Sequence, residues 1–231
     1  MNKPFVLLIV VDDYTRHSKA DIPTLLSDED EIALKEAANG LLQFDAVAAE
    51  IMTGIERGDA YKLRPSTILA LHKIALDGID AYAGNWRPGD VRIGKSEHEP
   101  PHASIVPNLV EDMCDYVNDN WNRSNPVELS AYVLWRLCWI HPFTDGNGRT
   151  ARAVSYMVLC ISVGILLPGD RTIPEQIAEN KIPYYDALEA ADKANKKTDG
   201  NDVSALADHL HNLLANQLLA VHGKAKGDDA P

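Results

Sequence analysis

Apolar side chains that return every third or fourth residue commit a chain to helices, and this one keeps that period almost unbroken from Asp28 onward. Ile32, Ala33, Ala37, Leu41, Phe44, Val47, Ala48 and Ile51 trace one face of a first helix, and Gly54 and Gly58 read as its end. Pro65 and Ser66 open a second helix, whose stripe of Ile68, Leu69, Leu71, Ile74 and Ile79 runs until residues 84 to 89 stop it. Helices are expected again over residues 106 to 121, over 127 to 140, and from Gly148 to about residue 163. A short helix over 174 to 180 and a longer one over 183 to 196 each begin at a proline, which suits a first helical turn, and a last helix covers 203 to 221. Only residues 86 to 107 lack the period. Pro88, Gly89, Gly94, Pro100, Pro101 and Pro107 punctuate them, and residues 90 to 94 read as one strand of a short β-hairpin. The expected class is all-α with that hairpin, plus a short strand near the N-terminus over residues 4 to 11.

Composition narrows what such a helical body does. The chain has 231 residues and 45% apolar content, which excludes disorder and collagen-like structure and allows a full core without staples. Cys114, Cys138 and Cys160 lie far apart and show no paired spacing, so they are expected as reduced thiols. The balance of 22 Lys+Arg against 34 Asp+Glu, a net charge of -12, repels a phosphate backbone and argues against a nucleic-acid partner. The apolar run over residues 4 to 11 is far shorter than the roughly 20 residues of a bilayer span, and Asp12 and Asp13 end it. No membrane role is expected. The reading is a cytoplasmic protein, although an effector exported by a dedicated machine would look the same.

Local charge departs from that mean in one place: His141-Pro142-Phe143-Thr144-Asp145-Gly146-Asn147-Gly148-Arg149-Thr150-Ala151-Arg152. Pro142 ends the preceding helix, so His141 stands at a helix end facing a turn. Gly146 and Gly148 permit a tight turn into the next helix, whose start presents backbone N–H groups and the positive end of its dipole. Arg149 and Arg152 add two cations where the dipole is already positive, a cost unless an anion is meant to sit there. A bound polyphosphate resolves the conflict. His141 suits removal of a proton from an attacking hydroxyl, Asp145 offers the hard oxygen that Mg²⁺ takes beside substrate phosphates, and Asn147 can donate to a phosphate oxygen. These parts describe phosphoryl or nucleotidyl transfer.

The twelve residues resemble, position for position, the signature of Fic-domain proteins, HPF-x-[D/E]-GN-[G/K]-R-x-x-R. The segment from Gly84-Asn85-Trp86-Arg87 to Pro107, with Arg92-Ile93-Gly94, His98 and Pro100-Pro101, is similar to that family's flap. With the Asn39-Gly40-Leu41-Leu42-Gln43-Phe44 helix and the helix of Leu188 and Ala194, the resemblance covers about residues 35 to 195. It implies a mostly helical Fic fold and transfer of AMP from ATP, with Mg²⁺, to a Ser, Thr or Tyr hydroxyl of a target protein. On this chain it makes His141 the base and Asp145 the metal ligand. Gly146, Asn147 and Gly148 become the anion hole, Arg149 and Arg152 the grip on the β- and γ-phosphates, and Phe143 a buried anchor. Arg92, Ile93 and Gly94 would dock the target. Glycine at 148, where the Doc-like branch has lysine, points to adenylylation.

The resemblance also divides the chain into an arm (1–27), a catalytic domain (28–200, flap about 86–107), a C-terminal helix (201–222) and a flexible tail (223–231). Alternatives stay open: another nucleotide or a phosphocholine donor, removal of AMP, or a toxin-like module held by a separate inhibitory protein. The family's inhibitory helix, [S/T]-x-x-x-E-[G/N], is met only in part at Ser27 and Glu31, which Ile32 follows, and not at Glu179-Asn180. Gly146-Asn147-Gly148-Arg149-Thr150-Ala151 also spells a dinucleotide fingerprint, but a helix rather than a strand precedes it. His98 and His102, four apart, are separated by Pro100-Pro101 and make a poor zinc pair.

Overall fold

Asp28, an N-cap aspartate whose carboxylate accepts from the Glu31 N–H at 3.0 Å, starts the longest helix, α1 (Glu29–Arg57), and the acidic first turn of Glu29, Asp30 and Glu31 complements its dipole. The computed structural model describes residues 18–19, 25–169, 171–198 and 200–226. The strand expected over residues 4 to 11 lies outside them. After α1 come α2 (Pro65–Leu76), α3 (Val106–Asn120), α4 (Pro126–Ile140), α5 (Asn147–Val163), α6 (Ile173–Glu179), α7 (Ile182–Thr198) and α8 (Ser204–Lys226). Pro65, Pro107, Pro126, Pro174 and Pro183 all fall in first turns, as the sequence indicates. The expected helical class holds. Among the described residues no helix is long and apolar enough to cross a membrane, and Cys114, Cys138 and Cys160 form no disulfide.

The bundle is organised round α5, whose Val154, Met157, Val158 and Leu159 are fully buried. α4 packs along α5 most extensively, α1 crosses both α2 and α5, and α7 and α8 close the α4 side. Ser130 and Ser155 bring α4 close to α5, with the Ser130 hydroxyl donating to the Ser155 carbonyl at 3.0 Å. Since α4 and α5 are consecutive, the turn between them sits at one end of the bundle. That turn is residues 141 to 146.

Three helix ends differ from the sequence reading. Gly54 does not close α1; it lies inside the helix at the α5 crossing, where an added Cβ would stand 2.5 Å from Ile161 Cδ1 and 2.7 Å from Cγ1. Gly58, at φ 50°, is the real terminator. Gly54→Ala is therefore expected to destabilise the fold by about 1–3 kcal/mol despite the better helix propensity of alanine, because a β-branched side chain has no easy way to swing aside. Urea unfolding reads this as a lower midpoint. α2 stops at Leu76 rather than reaching residue 84, because Asn39 on α1 donates its amide to the Ala75 and Asp77 carbonyls (3.2 and 2.8 Å) and Gly78 then turns at φ 73°. α8 continues past residue 221 through Lys226, taking in the first residues assigned to the tail, whose lysines and alanine are good helix formers.

The strand in the flap also has a different partner. β2 (Arg92–Ile93) pairs antiparallel with β1 (Ser18–Lys19), Ser18 opposite Ile93 and Lys19 opposite Arg92, rather than with the flap's own return. The return carries Pro100 and Pro101, which cannot donate to a ladder.

Candidate active site

α4 delivers His141 to the turn. Its backbone N–H still bonds to the Leu137 carbonyl at 2.9 Å, but the residue itself is left-handed (φ 50°, ψ 59°), an uncommon conformation for a side chain with a Cβ. Its Nδ1 lies 3.3 Å from the Cys138 carbonyl, an acceptor, so the proton belongs on Nδ1 and Nε2 is left as the basic nitrogen. Burial drives the His141 pKa down to about 3, outweighing that backbone bond, and the nearby Arg87 charge lowers it further. The imidazole is neutral at ordinary pH.

The following turn is built by its own side chains and by α2. Phe143 is buried, as expected of an anchor, and stacks flat on His72 with centroids 3.6 Å apart. The Asn147 amide closes on Phe143 twice, accepting from its N–H and donating to its carbonyl, both at 2.9 Å. This side chain shapes the loop instead of reaching outward. His72, fully buried, accepts from the Gly84 N–H at Nδ1 (2.9 Å), so Nε2 carries the proton and donates to the Asp145 carbonyl (3.0 Å). Thr144 donates to Asp80 on the segment after α2. Gly146 sits at φ 68° against α2, where a Cβ would come within 2.4 Å of Leu76 Cδ2. No other residue fits there. Because Gly146 is also the N-cap of α5, the helix start has no side-chain cap.

These elements line one open cleft of about 760 Å³. His141, Asp145, Gly146, Asn147, Gly148 and Arg152 form its floor, and Ile93, Ser96 and His98 of the flap form one wall. Arg149 is not among the lining residues. Its guanidinium reaches across to α1 and α2, bonding Glu36 Oε1 at 2.8 Å and the Ala75 carbonyl at 3.5 Å. The sequence placed two arginines on the phosphates; the structure brings Arg152 to the cleft and ties Arg149 to the helix beside it. Arg92 and Gly94 likewise flank the wall without lining it. Glu31 is exposed in the first turn of α1. His98 bonds the Trp139 carbonyl at 2.7 Å while His102 bonds Ser104, so the two do not act as a pair.

The far wall was missed in the sequence. Trp135, Cys138 and Trp139 of α4 face Tyr184, Tyr185, Leu188 and Asp192 of α7, with Trp135 Nε1 donating to Asp192 at 2.8 Å. Apolar rings at i, i+4 on a helix usually pack in the core, and Trp135 does so while also reaching the cleft. The adjacent tyrosines at a helix start were the available signal.

Among the described residues no three His, Cys, Asp or Glu converge on a metal site. Asp145 alone does fit Mg²⁺ of the kind that takes one or two carboxylates and completes its shell with water and substrate phosphates.

Residues 62–159 match the model of the Fic/DOC family. The chain is 31% identical over 128 residues to "Protein adenylyltransferase fic-1" of Caenorhabditis elegans, covering 54% of this chain and 23% of that protein. The Caenorhabditis briggsae protein of the same name is 29% identical over 157 residues, covering 66% and 29%. The chain thus spans less than a third of these relatives' length. A Fic domain containing signaling protein from Bacteroides thetaiotaomicron superposes with a TM-score of 0.64 at 21% identity, covering 84% of this chain and 72% of that one, a likeness of fold.

Proposed function

We propose that this chain, whose residues 62–159 match the Fic/DOC family model, is a protein adenylyltransferase of that family, moving AMP from ATP to a hydroxyl side chain of a target protein. The observation that carries this reading is the convergence of a neutral buried imidazole, a carboxylate, an uncapped helix start and Arg152 on one cleft. The N–H groups at the start of α5, from Asn147 and Gly148, orient the α- and β-phosphates, and the Arg152 guanidinium neutralises the leaving end. His141 Nε2 takes the proton of the target hydroxyl as its oxygen bonds to the α-phosphorus. The bond between that phosphorus and the bridging oxygen breaks, and pyrophosphate leaves. Asp145 would hold Mg²⁺, which supplies charge neutralisation on the phosphates. Arg149, held by Glu36, serves by locking α1 to the base of α5.

The aromatic wall of Trp139 and Tyr185 suits a nucleobase, and Ile93 at the opposite wall suits an extended target segment laid along the flap. Since β1 already pairs with Arg92 and Ile93, such a segment must replace β1 or add elsewhere on the flap. A cytoplasmic setting, where ATP is abundant, agrees with this chemistry. The test is a pair of incubations with Mg²⁺ and a lysate, one with ATP labelled at the α-phosphorus and one at the γ-phosphorus. Label that depends on this chain, beyond that of the lysate without it, is expected from the α position alone. Such label from the γ position would mean phosphoryl transfer instead.

A further inference from the structure

Arg87 is the most deeply buried cation near the cleft, with a side chain 0% exposed, and it does not line the cleft. Its Nε donates to the His141 carbonyl at 2.9 Å, and its own backbone N–H donates to the Pro142 carbonyl at 2.9 Å. One residue therefore holds both carbonyls at the head of the catalytic turn. Its Nη1 donates to the Gly89 carbonyl at 2.9 Å and lies 3.4 Å from Asp90 Oδ1, while Nη2 donates to the Pro101 carbonyl. Asp90 in turn accepts from the Ala103 N–H at 2.8 Å. The guanidinium thus joins three stretches: the His141-Pro142 turn, the outgoing foot of the flap and its returning foot.

Burying a cation is costly unless its donors are used, and here mostly neutral carbonyls use them. A planar fork can bond three segments at fixed mutual angles, which a lysine ammonium cannot do. The left-handed His141 has its carbonyl pinned by that fork, and Ile93, carried between the two feet, lines the same cleft as the imidazole. We propose that Arg87 is a positioning residue that sets the flap wall at a fixed distance from His141, so that a hydroxyl docked on the flap meets the base. This rests on the transferase reading of the cleft. The phosphate-binding turn has its own fastenings, Asn147 to Phe143, His72 to Asp145 and Thr144 to Asp80, none of which passes through Arg87.

That separation makes the test. Arg87→Lys and Arg87→Gln are each compared with the full-length parent in three measurements: binding of a non-hydrolysable ATP analogue with Mg²⁺, kcat of transfer, and amide hydrogen exchange. Expected are nucleotide affinity close to the parent, kcat lower by about 10²-fold, and faster exchange over residues 92 to 98 but not over 143 to 152. Arg87→Lys keeps the charge and is expected to fail nearly as badly as Arg87→Gln. Parallel loss of nucleotide affinity and rate, exchange rising equally in both segments, or loss of the fold in both variants would overturn the proposal and leave Arg87 a general structural residue. If the parent transfers no nucleotide at all, the transferase reading falls, and the exchange contrast by itself decides whether Arg87 couples flap to turn.

Discussion

His141→Ala is expected to lower the rate of transfer by about 10²-fold or more while leaving nucleotide affinity nearly unchanged, because it removes the proposed general base and none of the proposed phosphate-binding elements. The turn that would hold the phosphates is closed by Asn147 on Phe143 and buttressed by His72, so its shape does not depend on the imidazole ring. The pH profile sharpens the test. With the pKa of the free protein pushed down to about 3 by burial, His141 is in its basic form throughout the neutral range, and kcat/KM should show no inflection from it near the ordinary 6.5. A bound polyphosphate brings negative charge beside the ring and stabilises the imidazolium, so the acid limb of kcat should lie at higher pH than that of kcat/KM. Labelling with α-phosphorus ATP across a pH series measures both. Equal labelling by the parent and His141→Ala would remove His141 from the chemistry.

The outline of the candidate catalytic turn was legible in the sequence because the residues that start, bend and anchor it are local, although His72, Asp80 and Arg87 brace it from elsewhere in the chain. Pro142 ends a helix, Gly146 supplies a left-handed N-cap, and the ring of Phe143 anchors between them, all within a few residues. Helix existence was legible for a similar reason, since a period of 3.6 needs only neighbouring residues. Helix ends were not. α2 ends where the Asn39 amide, 36 residues upstream of Ala75, reaches its last carbonyls, and Gly54 looks like a stop but serves a close crossing with Ile161. The same limit governed the site. Arg149 follows two glycines at a helix start, as a phosphate ligand would, yet Glu36 on a helix 113 residues away claims it. The aromatic wall joins α4 to α7, and Arg87 joins the flap to the turn across 54 residues. Local pattern gives the chemistry of a turn; partners brought by packing decide which of its side chains face the cleft.

Among the described residues His72 and His141 are the buried histidines, and they make acid the largest expected stress on the fold. His72, whose pKa burial lowers from 6.5 to about 4, stays neutral in the native protein while the unfolded chain takes up a proton below pH 6.5. Stability from this group is therefore complete above pH 6.5 and is lost as pH falls toward about 4, by about 3 kcal/mol on the arithmetic of the shift. His141, lowered by the same cause, acts in the same direction. Urea unfolding at a series of pH values should show a steep loss through this window. His72→Gln separates the two: it leaves the Gly84 N–H or the Asp145 carbonyl without its partner, a loss of about 1–3 kcal/mol near neutrality, but its stability should fall less steeply on acidification. A parent-like slope in His72→Gln would mean that the ring takes a proton in the folded protein. It would then no longer accept from Gly84, and the strut under Asp145 would rest on the Phe143 stack and a single donated bond.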